Sequence, residues 1–205
     1  MDSALMIALA TTFFFVSITP GMCMTLALTL GMTVGVRRTM WMMAGELIGV
    51  GLVALLAIIG VAALLLQYPP LFYVLKYGGG AYLAYLGVQL WQSKGALAID
   101  LSGAVKDTGR WQLAIQGAVT AVANPKAWAF TIAILPPFVE MNKPLPMQLA
   151  MILVIVLSTE LVALLAYATG GKSLGKLLQK NDNVRVMNRI AGTLMLGVAV
   201  WLVLG

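Results

Sequence analysis

The chain has 205 residues, of which 61% are hydrophobic and 10% charged, whereas a soluble domain commits about a quarter of its residues to charge. That balance excludes a water-soluble fold, which has nowhere to place so much apolar surface, and makes lipid the solvent. The net charge of +6 does not point to nucleic acid, because the basic residues lie between apolar stretches and not in one patch with aromatics.

Uncharged apolar stretches recur at the length of about 20 residues that crosses a hydrocarbon core about 30 Å thick. The first runs from Ala4 to Gly35; it has Asp2 where a signal peptide carries a basic region and is too long for a cleaved leader, so it reads as a retained span. The others run from about Met40 to Leu66, Pro70 to Trp91, Trp111 to Val139, Leu145 to Gly170 and Val184 to Leu204. Trp41, Trp91, Trp111 and Trp201 fall near span ends, where interfacial anchors belong.

Arg37 and Arg38, then Lys94, Lys106 and Arg110, then Lys172, Lys176, Lys180, Arg185 and Arg189 lie in or beside the first, third and fifth loops, leaving only Lys76 and Lys143 near the second and fourth. By the positive-inside rule those three loops are cytoplasmic and both termini lie on the outer side of the membrane. The polar stretch 93–110 divides the chain into 1–92 and 111–205, each with three spans. Three is odd, so the halves must be inverted. The expected fold is an all-α membrane protein of six transmembrane helices in two inverted three-helix repeats.

The halves also share landmarks in the same order. Thr19-Pro20-Gly21 falls near the middle of the first span and Asn124-Pro125-Lys126 near the middle of the fourth; Gly45-Glu46-Leu47 in the second matches Thr159-Glu160-Leu161 in the fifth; Leu86-Gly87 precedes Trp91 as Leu196-Gly197 precedes Trp201. Inverted repeats with interrupted helices at corresponding places point to a secondary transporter's binding site.

A proline inside a helix removes a hydrogen bond, and in lipid the freed carbonyl cannot turn to water. Thr19-Pro20 and Asn124-Pro125 each have the form of an N-cap followed by proline at the first helical position, so each is expected to start a half-helix whose N-H groups favour an anion. The alternative is a kink repaired by neighbouring helices. Lys126 would sit near the bilayer centre, at a cost of about 2.5 kcal/mol or more, and either meets a bound carboxylate or is neutralised structurally by Glu160 or Glu46. Intramembrane carboxylates face the bundle interior as proton relays or counter-ions. Glu160, about 15 residues into its span, is the first candidate for a ligand ammonium or a proton, and Glu46, about 6 residues into its own, for a proton site, a gate or a structural partner.

Glycine pairs Gly31/Gly35 and Gly45/Gly49 and the run Gly78-Gly79-Gly80 allow close helix approach, within the chain or in a homodimer. The stripe Thr25, Thr29, Thr33 and the single cysteine, Cys23, read as structural. With that one cysteine and no histidine, no disulfide framework is possible and no metal site or cofactor is expected. An intramembrane enzyme built on Glu46 and Glu160 lacks an activated nucleophile.

These residues resemble the LysE/RhtB superfamily of amino-acid exporters, through Pro20-Gly21, Gly31 and Gly35, Gly45-Glu46, Leu75-Lys76-Tyr77-Gly78, the run Gly80 to Gly87, and Asn124-Pro125-Lys126. In that family the first motif usually reads Pro-Gly-Pro; Met22 replaces the second proline, which predicts a milder break, and Trp41 stands where glycine is common. The resemblance implies an inner-membrane protein that exports small amino acids against protons. A zwitterion matches the site, with its carboxylate at Lys126 and the half-helix starts (Thr19, Pro20, Gly21, Asn124, Pro125) and its ammonium at Glu160. A cadmium-type exporter of the same superfamily and a non-transporting membrane subunit are the alternatives.

Overall fold

The computed structural model describes residues 3–67, 70–92, 109–135, 138–140, 143–179 and 181–204. Residues 93–108 of the expected linker, Tyr68 and Pro69, Asn142 and Lys180 therefore lie outside the described residues. Every regular element described is helical: α1 (Ser3–Ile18), α2 (Met22–Thr33), α3 (Val36–Gln67), α4 (Leu71–Gln92), α5 (Arg110–Ala123), α6 (Pro125–Ile134), α7 (Leu145–Gln179) and α8 (Asn181–Leu204). The first and fourth apolar stretches thus each divide into two helices, at Thr19-Pro20-Gly21 and at Asn124.

Among the described residues, Val36–Gly60 and Leu145–Gly171 are each long and apolar enough to cross a bilayer, and α1 with α2 makes a third crossing if the bent pair counts as one span. This is a multi-pass membrane protein. The bend between α1 and α2 is 60°, so the break is a full one although Met22 replaces a proline. Met22 is the first residue of α2. A proline there would only pre-set a backbone angle that the first helical turn adopts in any case.

The lipid and protein faces of α3 separate at helical spacing. Ile48, Leu52, Leu56 and Ile59 point outward, while Met42, Glu46, Gly49, Val53 and Ala57 are buried. α7 continues beyond its expected end near Gly170, through a kink at Gly171 with φ 44° and ψ −133°, a conformation open to glycine because it lacks a Cβ.

The core consists of two apolar clusters. One joins Leu9 and Phe13 of α1 to Ala54 and Ile58 of α3, Phe130 and Ile134 of α6, and Ile152 and Val156 of α7. The other joins Met24, Ala27 and Leu28 of α2 to Met42 and Met43 of α3, Leu113 of α5, and Ala163, Leu164 and Tyr167 of α7. Each break passes the chain from one cluster to the other. Glu46 lies on α3 between its contributions to the two clusters, and Glu160 does the same on α7.

Small residues bring the helices close enough to form these clusters. α3 packs most extensively on α5, α4 on α8, and α2 on α7. A Cβ added at Gly45 would overlap the backbone of Ala114, one at Gly117 the backbone of Met42, and one at Gly31 the backbone of Ala168. Gly49 lies against Ala118 and Ala121, and Gly87 against Gly192. Gly31, Gly45 and Gly49 therefore serve packing inside the chain, whereas an added Cβ at Gly35, Gly60 or Gly78 meets nothing within 4 Å. Gly45→Val should separate α3 from α5 and lower the melting temperature of the purified protein by about 5 °C or more, while Gly60→Ala stays within about 1 °C of the parent. Equal melting of the two variants would contradict this packing.

Candidate functional site

The last carbonyls of α1 need partners, and donors come from Thr19 itself, whose N-H reaches Val16 O at 3.3 Å, and from α6 and α7. Pro20 has no N-H to give the carbonyl four residues earlier, which is Val16. The Lys126 Nζ donates to that oxygen at 2.8 Å and to the Thr19 oxygen at 3.2 Å. The Thr19 hydroxyl donates back to Phe15 O at 2.7 Å, and the Tyr167 hydroxyl on α7 donates to Ile18 O at 2.9 Å. Thr19 therefore closes α1 and is not an N-cap, correcting the expectation from Thr19-Pro20. The cap residue of α2 is Gly21, which has no side chain to offer, so the first N-H groups of α2 receive no side-chain cap.

The second break matches its motif. Asn124 is the N-cap of α6 with Pro125 at the first position, and its Oδ1 accepts from the Lys126 N-H at 3.0 Å. The Asn124 carbonyl accepts from Ala127 at 3.0 Å and Trp128 at 3.5 Å. The carbonyls that α5 leaves open are closed locally, Ala121 by the Asn124 N-H at 3.2 Å and Val122 by the Trp128 indole at 2.8 Å. The N-terminus of α6 is thus engaged by its own cap, and the anion-binding start expected there is closed; that of α2 stays open.

Between the two apolar clusters lies a cavity of about 50 Å³, which holds only a few waters at about 10–15 Å³ each. Thr19, Gly21, Asn124, Lys126, Glu46 and Glu160 all line it. Pro20 and Pro125 are absent from the lining; they set the two breaks that bring the others together. Glu46 begins roughly 15 Å along α3, and Glu160 stands roughly 17 Å before the Gly171 kink, at 1.5 Å per residue. The two carboxyls therefore reach one cavity, and the difference in depth expected from span ends does not separate them.

The carboxyls differ in surroundings. Glu46 is 0% exposed, and both its oxygens are buried without a hydrogen-bond partner among the described residues. Glu160 is half-buried. Lys126 forms no ion pair among the described residues; its two hydrogen bonds go to the α1 carbonyls, and its ammonium stands 5.9 Å from the ring of Phe130. An ammonium has three donors, so one remains for the cavity. Neither Glu160 nor Glu46 serves as its direct structural partner.

Ser17, a cavity residue, and Tyr167, which reaches the end of α1, escaped the sequence reading, and Cys23, read as structural, is part of the cavity lining. Ser17 is buried with its hydroxyl unpartnered among the described residues. It is a polar residue three positions before a mid-span proline, and that was its available signal. Cys23 accepts from the Asn124 side chain at 3.6 Å and so ties the two breaks together. Tyr167 carried no signal beyond being an amphipathic side chain inside a span. Thr33 bonds back to Thr29 O at 2.8 Å, a structural role. Trp41 lies 5.8 Å beneath Arg110 at the start of α5, which gives this departure from glycine a contact of its own. Among the described residues no three acidic or cysteine side chains are arranged to hold a metal ion.

Known proteins give this cavity a context. The chain is 28% identical to a homoserine/homoserine lactone efflux protein of Salmonella typhimurium, over 91% of this chain and 89% of that protein. It is 23% identical to an uncharacterized membrane protein of Vibrio cholerae over 98% of both chains. A leucine efflux protein of Klebsiella pneumoniae is 29% identical over 64% of this chain and 62% of its own length. No solved structure matches the chain. The LysE type translocator family matches residues 14–205, and the chain, a multi-pass membrane translocator with a polar cavity at its two helix breaks, belongs to that family.

Proposed function

We propose that this translocator exports small amino acids across the bacterial inner membrane by exchange with protons. The observation that carries this reading is Glu46, a carboxyl with both oxygens buried and unpartnered among the described residues, lining the same cavity as the ammonium of Lys126. A buried polar group without a partner implies a ligand or a proton that supplies one. A zwitterion fits both poles: its ammonium at Glu46 and Glu160, its carboxylate at the remaining Lys126 donor and the uncapped N-terminus of α2 beyond Gly21. Thr19, Asn124, Pro20 and Pro125 shape this pocket. Export and an amino-acid cargo are supported by the relatives named for homoserine and leucine efflux.

Proton coupling follows from the same carboxyls. A proton and a substrate ammonium are alternative partners for Glu46 and Glu160, so binding one releases the other. The apolar clusters on the cavity's two sides serve as alternating seals.

The six-span, inverted-repeat organisation is part of the proposal, with 1–92 and 111–205 as the repeats and 93–110 as a cytoplasmic linker. Packing supports it: α3 lies on α5 and α6, and α7 lies on α1 and α2, so exchanging the halves maps one set onto the other. The α4–α8 contact maps onto itself. Both termini are then periplasmic, and a C-terminal alkaline phosphatase fusion should be active while one placed in the linker is not. The reverse pattern would invert the topology.

In liposomes loaded with homoserine, leucine or threonine, Glu46→Gln and Glu160→Gln should each lower efflux by at least about ten-fold, as loss of an essential charged contact does. Parental rates in both variants would remove the carboxyls from the site. An acidic exterior should accelerate parental efflux, because inward proton movement then drives outward cargo. Rates that ignore the pH gradient would exclude proton exchange.

A further inference from the structure

The C-terminal end of α1 has the chemistry of a cation site. A half-helix C-terminus carries about half a negative charge from its unsatisfied carbonyls, and in membrane transporters such ends and unwound carbonyls hold a free cation. Here the carbonyl of Val16, which Pro20 deprives of its i+4 donor and which accepts only the Thr19 N-H at 3.3 Å from its own helix, and that of Thr19 converge on one nitrogen, the Lys126 Nζ, at 2.8 and 3.2 Å. The neighbouring carbonyls of Phe15 and Ile18 are closed separately by Thr19 and Tyr167. These two oxygens are therefore what the site offers a cation.

We propose that the α1 end is a cation site whose resident ion is the protein's own Lys126 ammonium, so that the break needs no free alkali cation and, once emptied, accepts a primary alkylammonium. Two observations place the ammonium there as a built-in occupant. The face of Phe130, 5.9 Å away, favours a cation at that point. Lys126 makes no ion pair with Glu46 or Glu160 among the described residues, so helix-end carbonyls, not carboxylates, hold the charge. Two carbonyls suit the directed N-H donors of an ammonium, whereas hard metal cations favour larger oxygen shells. The inference concerns how the break is held and is independent of the cargo.

The test uses the purified full chain in detergent without amino acid. Lys126→Ala removes a segment the length of n-propylammonium and should lower the melting temperature by several degrees. Added n-propylammonium should restore at least half of that loss in a saturable way, with n-propanol and tetramethylammonium restoring none. Lys126→Met, which fills the volume without donors, should melt low and stay low. Lys126→Ala melting with the parent, or responding equally to all three additives, overturns the proposal. The parent supplies a second measurement that does not depend on recovering a variant: its melting temperature should be the same in sodium, potassium and N-methylglucamine salts. Saturable stabilisation of the parent by sodium or potassium would show that the site takes a free metal cation and would equally overturn it.

Discussion

A carbonyl that a proline cannot satisfy, in a medium that offers no water, fixes the centre of this protein. Val16 O loses its i+4 helical donor to Pro20 and keeps only a longer bond, at 3.3 Å, from the Thr19 N-H. Its shorter bond, at 2.8 Å, comes from Lys126, 110 residues away in sequence. Once that ammonium is committed, α6 must lie beside the end of α1, and Asn124 and Cys23 meet across the two breaks. Tyr167 adds α7 to the same junction.

The breaks also place polarity between two apolar layers. The cluster around Phe13, Ile58 and Phe130 and the one around Met42, Leu113 and Tyr167 leave a middle level where helical packing is interrupted. Glu46 and Glu160 stand at that level because α3 and α7 run through both clusters, and Ser17 because α1 ends there. A setting flanked by apolar layers strengthens any interaction these groups make with a bound charge. Such a site favours being filled, by a proton, by water or by cargo, and exchange among these occupants is what a coupled translocator requires.

The two breaks solve the same problem differently. At Asn124 the caps are local: Asn124 and Trp128 close the residues beside them. At Pro20 Thr19 closes Phe15 O and bonds Val16 O locally, and further donors come from α6 and α7. A break capped by distant side chains is sensitive to how those helices move, whereas a locally capped break travels as a unit.

The amino-acid sequence by itself determined that the chain lives in lipid, since no aqueous fold buries so much apolar surface. It also determined where helices must break, because proline's missing N-H is a local fact, and Asn124-Pro125 folds as that local chemistry dictates. The pairing of Gly45 with a neighbouring helix was visible only as a permission to pack closely; that the neighbour is α5 at Ala114 is a tertiary outcome. Thr19 shows the limit of local reading. Its hydroxyl can close the preceding helix or cap the following one, and α1 took it. The partners of Lys126 and the convergence of Glu46 with Glu160 were decided by tertiary structure alone, because the choice between a carboxylate and a carbonyl for one ammonium depends on which helix end lies within reach, and spans separated by loops carry no record of that distance.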